Sequence, residues 1–291
     1  MKVAFIQDLD PFTEPGGAQM TDKTHLLYAI RHGHDVEVVL PNADPSALFK
    51  SDLVVISNNA AFPIGLFQEL QKQQRKYVFF LHDYQNLCRW RLFYPMLDKC
   101  KVCHLKEGWL PILQGAASII WLSPLHRESW LFTYPELAEH DSSIIPSPVS
   151  VTDFFDMKQE RHGYIAVHAT EEFKGRERFL EYVEQHPEIS FTLVGAPPDG
   201  LPANVKGIGY VPYSAMNELY NQHQAFVHLP TTTQPFERTI PEALLAGCKI
   251  IGNKNIGALS YPEFSQGREA IVKLLKKSSM QFLAALERAA S

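Results

Sequence analysis

The feature that most constrains this chain is an alternation. Short runs rich in β-branched and aromatic residues are each followed by a longer amphipathic stretch. The runs KVAFIQD (2–8), VEVVLP (36–41), DLVVIS (52–57), YVFFLHD (77–83) and SIIWLS (118–123) show no strict polar–apolar alternation. Strands of that kind are covered on both faces, and parallel strands joined by crossover helices supply the cover. Between the runs, the spacing predicts a helix over 18–32 with Leu26, Leu27 and Ile30 inward, and Gly33 is placed to end it. A second helix is predicted over 64–76.

The alternation pauses at IIPSPVSVTDFFDMKQERHG (144–163), whose prolines, serines and mixed charge suit a linker. It restarts with YIAV (164–167), a helix over 174–185, FTLVG (191–195), VKGIGYV (205–211), a helix over 214–224, AFVHL (225–229), a helix after Thr239, KIIG (249–252) and a last helix over about 268–289. The reading is two α/β domains, each with a parallel sheet. Residues 1–148 form the first, 149–163 the linker and 164–266 the second. Residues 267–291 form a helix expected to pack back across the domain interface. A length of 291 residues accommodates two such domains. Ligands of open parallel sheets bind beyond the carboxyl ends of the strands, so the cleft between the two domains is the expected site.

Composition excludes several classes. A net charge of −5 argues against bulk nucleic-acid binding. No apolar run approaches the roughly 18 residues of a membrane-spanning helix, and MKVAFIQDLD reads as a first strand rather than a signal peptide. Three of the four cysteines cluster, which suits a reducing, cytoplasmic setting better than a disulfide framework. Cys88, Cys100, Cys103 and His104, in LCRWRLFYPMLDKCKVCH, have the residue types of a tetrahedral structural zinc site. Clustered thiols without metal are the alternative. Arg89, Arg91, Lys99, Lys101 and Lys106 make this segment basic, a solvated loop or a contact for an anionic acceptor or membrane surface. Pro124 in WLSPLHRESW stands at a first-turn helix position. G-x-S-x-G, H-E-x-x-H and the full dinucleotide glycine fingerprint are all missing, which disfavours a nicotinamide dehydrogenase.

Two segments carry the candidate chemistry. In TTTQPFERTIPEALLAGCKII (231–251), a polar turn leads into a short apolar helix and a strand. Glu242 lies in the first helical turn. It either complements the helix dipole or accepts hydrogen bonds from a vicinal diol such as a ribose. In VHATEEFKGRERFL (167–180), Lys174 and Gly175 open a helix after a strand. A cation there opposes the dipole, and a bound anion would account for it.

These segments resemble the donor site of GT-B glycosyltransferases, glycosyltransferase family 4 in particular. The resemblance rests on a paired-glutamate signature around a Pro-Phe-Gly-like turn, followed by an Ala-rich helix, Gly and a strand. It implies a GT-B fold, with two Rossmann-like parallel-sheet domains facing a cleft, acceptor side first and donor side second. It implies transfer of a hexose from a nucleotide diphosphate sugar, with retention of configuration and no catalytic metal. Glu242 matches the ribose-binding glutamate. The partner glutamate near the donor sugar falls on Gln234, which keeps hydrogen bonding but loses the charge. Phe236, Glu237, Arg238 and Thr239 would form the loop over sugar and diphosphate. Lys174 matches a diphosphate lysine. The accompanying arginine falls at His168 or Ala169, leaving Arg176 as a substitute. Backbone near Tyr210 and Val211 would meet the base. Gly16 and Gly17 resemble the glycine loop of the first domain, and His82 a histidine that points at the sugar. A subset of family 4 has a similar His-Asp-Tyr and Cys-rich insertion. The acceptor stays open between glycan, lipid carrier and protein, with peripheral membrane contact among the options. Two alternatives remain: a catalytically weak nucleotide-sugar-binding protein, and another GT-B enzyme, a sugar-nucleotide epimerase or a phosphorylase.

Overall fold

The structure is a computed structural model that describes residues 1–14, 16–88, 91–93, 105–197 and 199–291. The chain divides into two compact units, 1–148 with 276–291, and 149–275. In the first, β1 (Lys2–Ile6), β2 (Asp35–Val39), β3 (Leu53–Ile56), β4 (Tyr77–Phe80), β5 (Ser118–Trp121) and β6 (Ser142–Ile144) form one sheet, ordered β2-β1-β3-β4-β5-β6. Every pairing in it is parallel. The helices are α1 (Gly17–Arg31), α2 (Ser46–Lys50), α3 (Ile64–Lys72), α4 (Leu105–Gln114) and α5 (Pro124–Thr133). The four residues each of β3, β4 and β5 are all buried, as a doubly covered sheet requires. The core packs Val54, Ile56, Phe79 and Ile119 against Trp121, Trp130 and Tyr134.

The second unit repeats the plan with β7 (Tyr164–Val167), β8 (Phe191–Val194), β9 (Val205–Gly209), β10 (Ala225–His228) and β11 (Lys249–Gly252), ordered β11-β10-β7-β8-β9 and parallel throughout. Its helices are α6 (Arg176–Gln185), α7 (Met216–Asn221), α8 (Thr239–Leu245) and α9 (Glu263–Gln266). Phe179 and Val183 of α6 pack on Ala166, Leu193 and Val227. Helix α10 (Arg268–Ala290) runs from the second unit into the first. There Phe282 stacks on His25 at 4.2 Å, and Ser278 donates to the Pro146 carbonyl at 2.5 Å. Among the described residues no helix is long and apolar enough to cross a membrane.

Several elements differ from expectation. Most strands stop one to three residues early, so Gln7, Ser57 and His82 lie just past β1, β3 and β4. Helix α3 ends at Lys72, and Gln74 follows at φ 52, where a helix cannot continue. The helix expected from Lys174 starts at Arg176, because Lys174 and Gly175 belong to the turn before it. The one expected from Ser214 opens as a 3-10 turn, Tyr213–Ala215. Ile30 does not face inward. The buried face of α1 is Thr21, Asp22, His25, Leu26 and Ala29, so polar residues occupy part of the stripe assigned to apolar ones. The half-exposed edge strand β6, SSI, has too little apolar character to stand out in sequence.

Candidate functional site

The carboxyl ends of both parallel sheets carry polar clusters. In the second unit, the turn after β7 brings Lys174 under the loop that follows β10. Gly175 makes this approach possible. It sits at φ 90, and a Cβ there would lie 2.0 Å from the Leu229 carbonyl oxygen. Lys174 Nζ donates to Gln234 Oε1 at 2.8 Å and to Glu237 Oε2 at 2.6 Å. Gln234 is buried, and its Nε2 donates to the Thr232 carbonyl at 3.1 Å and hydroxyl at 3.0 Å. Its backbone is fixed too. The amide donates to Asn255 O at 2.7 Å, and the carbonyl accepts from Gly257 N at 2.9 Å. Glu237 takes a hydrogen bond from the Thr239 hydroxyl at 2.8 Å. His228, the last residue of β10, is buried with Nε2 3.3 Å from Glu237 Oε2, off the line of a good hydrogen bond. Burial alone would raise the Glu237 carboxyl. The Lys174 charge and its hydrogen bond, with the nearby His228 imidazole, instead hold it well below the usual range.

Glu242, in the first turn of α8, accepts from the Tyr213 hydroxyl at 2.8 Å. Arg238 Nη2 lies 3.8 Å from the same carboxylate and donates to Tyr213 at 3.4 Å. Burial pushes the Glu242 carboxyl up to about 7, against the opposing pull of Arg238 and Tyr213. Desolvation, then the Glu242 charge, raises the Tyr213 phenol.

The other expected donor residues are placed less specifically. Phe236 is buried, its ring edge-on to Tyr261 and Phe264. Arg176 is exposed on α6. His168 sits at φ 56 just after β7, with its ring 6.2 Å from that of Tyr210, which is 75% exposed beyond β9. Val211 is half-buried beside it.

In the first unit, Gly16 caps α1, Gly17 opens it, and His82 follows β4. Its Nε2 is 2.8 Å from Asp22 Oδ1. The other Asp22 oxygen accepts from Gln7 Nε2 at 2.5 Å, Ser57 Oγ at 2.9 Å and Asn58 Nδ2 at 3.4 Å. Asp22 is fully buried, yet its carboxylate is satisfied by groups at the ends of β1, β3 and β4. The expected residues thus fall into two groups, His82, Gly16 and Gly17 in one unit and the remaining donor residues in the other.

Sequence reasoning missed Asp22, Tyr213 and His228. A charge on the α1 face shared with Leu26 marked Asp22, and a polar residue ending the apolar run AFVH marked His228. Tyr213 left no signal. Of the proposed zinc ligands, Cys100, Cys103 and His104 lie outside the described residues. Cys88 is a half-buried free thiol packed on the first core. Among the described residues, no three His, Cys, Asp or Glu side chains are grouped to hold a metal.

No family model matches the chain, and no curated protein matches it in sequence. Solved structures do match in fold. Sucrose-phosphate synthase from Thermosynechococcus elongatus superposes with a TM-score of 0.69 at 15% identity, covering 99% of this chain and 96% of its own. Anabaena HepE in complex with UDP gives 0.66 at 16% identity, covering 100% and 93%. AviGT4, a glycosyltransferase involved in avilamycin A biosynthesis, gives 0.61 at 12% identity, covering 99% and 98%. The chain is similar to glycosyltransferases in fold over nearly its whole length, and its two parallel-sheet α/β units are those of the GT-B fold.

Proposed function

We propose that this protein is a glycosyltransferase that moves a hexose from a nucleotide diphosphate sugar to an acceptor, with retention of configuration, in the manner of family 4. The observation that carries the reading is the convergence of Lys174 and the Tyr213–Glu242 pair on one loop at the carboxyl ends of β7 and β10. A lysine beside a diphosphate stabilises the charge that develops as the glycosidic bond to phosphate breaks. Glu242, desolvated and held by Tyr213, suits a ribose diol. Arg238 adds a second cation to the loop, and Arg176 is within the same turn region. His82, oriented by Asp22, suits a sugar hydroxyl. The UDP bound to HepE supports a uridine nucleotide as the first donor to try. Acceptor candidates are a glycan, a lipid carrier or a protein.

A second reading has its own support. The neutral Gln234 and the ion pair already made by Lys174 favour a protein that binds a nucleotide sugar and turns it over slowly. Calorimetry against UDP, GDP, dTDP and ADP and their common sugars, followed by donor hydrolysis and transfer assays, separates the two. Binding with turnover supports the transferase. Binding without hydrolysis or transfer supports the second reading, and absence of binding to every nucleotide rejects both.

A further inference from the structure

Glu237 is the least expected member of the site. It stands where the resembled turn has a glycine, and it keeps a glycine's backbone, at φ 72. A side chain in this region is strained, and such strain persists where surrounding contacts over-determine it. Here the contacts are explicit. Oε1 is held by the Thr239 hydroxyl at 2.8 Å, and Oε2 by Lys174 Nζ at 2.6 Å, with His228 behind it at 3.3 Å. Lys174 needs such a tether. Its ammonium is a compact charge on a flexible stem, free to swing to solvent when only a neutral amide holds it. Gln234 supplies only that neutral amide, at 2.8 Å.

We propose that Glu237 is a positioning residue that holds the Lys174 ammonium at the carboxyl ends of β7 and β10, in place of the carboxylate that residue 234 lacks. Gln234 and Glu237 together take two of the three N–H bonds of Lys174 and leave one for an anionic ligand. Glu237 touches no ligand in this role; it acts through Lys174. The inference rests on the donor-site reading above, with the nucleotide diphosphate as the anion.

The test is a double-mutant cycle read by calorimetric affinity for UDP, GDP, ADP and dTDP at one fixed ionic strength. Glu237→Gln is expected to weaken binding of the nucleotide that wild type binds best by tenfold or more. Lys174→Met should weaken it comparably. In the Lys174→Met background, Glu237→Gln should change affinity by less than about twofold, because residues acting through one contact are non-additive. Glu237→Gly provides the folding control. Glycine fits φ 72 without strain, so this variant should melt within a few degrees of wild type yet lose affinity like Glu237→Gln. Equal or tighter binding by Glu237→Gln or Glu237→Gly would overturn the proposal, since the carboxylate would then be competing with the ligand. Fully additive losses in the double variant would overturn it too. Wild-type protein that binds none of the four nucleotides would remove the donor-site reading itself, and this proposal with it.

Discussion

Glu242 carries the clearest residue-scale consequence. Its carboxyl is raised from 4.5 to about 7 by burial, so the folded state binds this proton more tightly than the unfolded chain does. The associated stability is complete below pH 4.5 and is lost as the pH rises through about 7. Glu242→Gln removes that loss. Urea unfolding at pH 5 and pH 8 should show the variant gaining on wild type by up to roughly 3 kcal/mol at the higher pH. A pH-independent difference would reject the raised carboxyl. Glu242→Ala should weaken nucleotide binding by a few kcal/mol, since it also strands the Tyr213 hydroxyl. Gln234 is similarly particular to its place, because its amide donates to the Thr232 carbonyl. Glutamate there would set two acceptors against each other and place a second carboxylate on Lys174. Gln234→Glu alone is therefore expected to lower stability by about 1–3 kcal/mol, measured by thermal unfolding. A gain in both stability and turnover would instead mark the amide as a defect.

At the scale of elements, the turn between β7 and α6 decides where Lys174 stands. Gly175→Ala puts a methyl against the Leu229 carbonyl oxygen in a backbone conformation that disfavours any Cβ. A loss of about 2 kcal/mol or more is expected, from strain and the forced movement of the turn. Calorimetric melting would check it, and nucleotide affinity should fall in the same variant because Lys174 moves with the turn. All the strands but β6 were legible in sequence. YIAV and KIIG match β7 and β11 residue for residue, each a short run with β-branched residues closed off by a turn-prone or polar neighbour. The ends of other strands were not. FLHD looks continuous with YVFF, but β4 stops at Phe80, one residue past Phe79, the last residue that β3 pairs with. Metal analysis tests the cysteine-rich segment as a zinc site. About one zinc per purified chain would establish the site, and metal-free protein of full stability would reject it.

For the whole molecule, a ligand that binds only the folded state raises its apparent stability by mass action. The correct nucleotide at about a hundredfold over its Kd should add roughly 2.7 kcal/mol. Wild type should show that shift in a thermal melt, and the Lys174→Met variant, binding tenfold or more weakly, should show about half of it or less at the same nucleotide concentration. The two parallel-sheet units were written in the chain, because central strands such as β3, β4, β5 and β10 carry their burial in four consecutive residues whatever surrounds them. The sequence also determined Glu242 and Lys174 as candidates, through local patterns of loop and helix. The pairings arise in three dimensions. Lys174 meets Glu237 across 63 positions and His82 meets Asp22 across 60. Those contacts depend on crossover connections that bring distant loops to one edge of a sheet. A buried carboxylate such as Asp22 looks in sequence like any charge on a helix. Its meaning comes from the four donors that converge on it once β1, β3 and β4 end side by side.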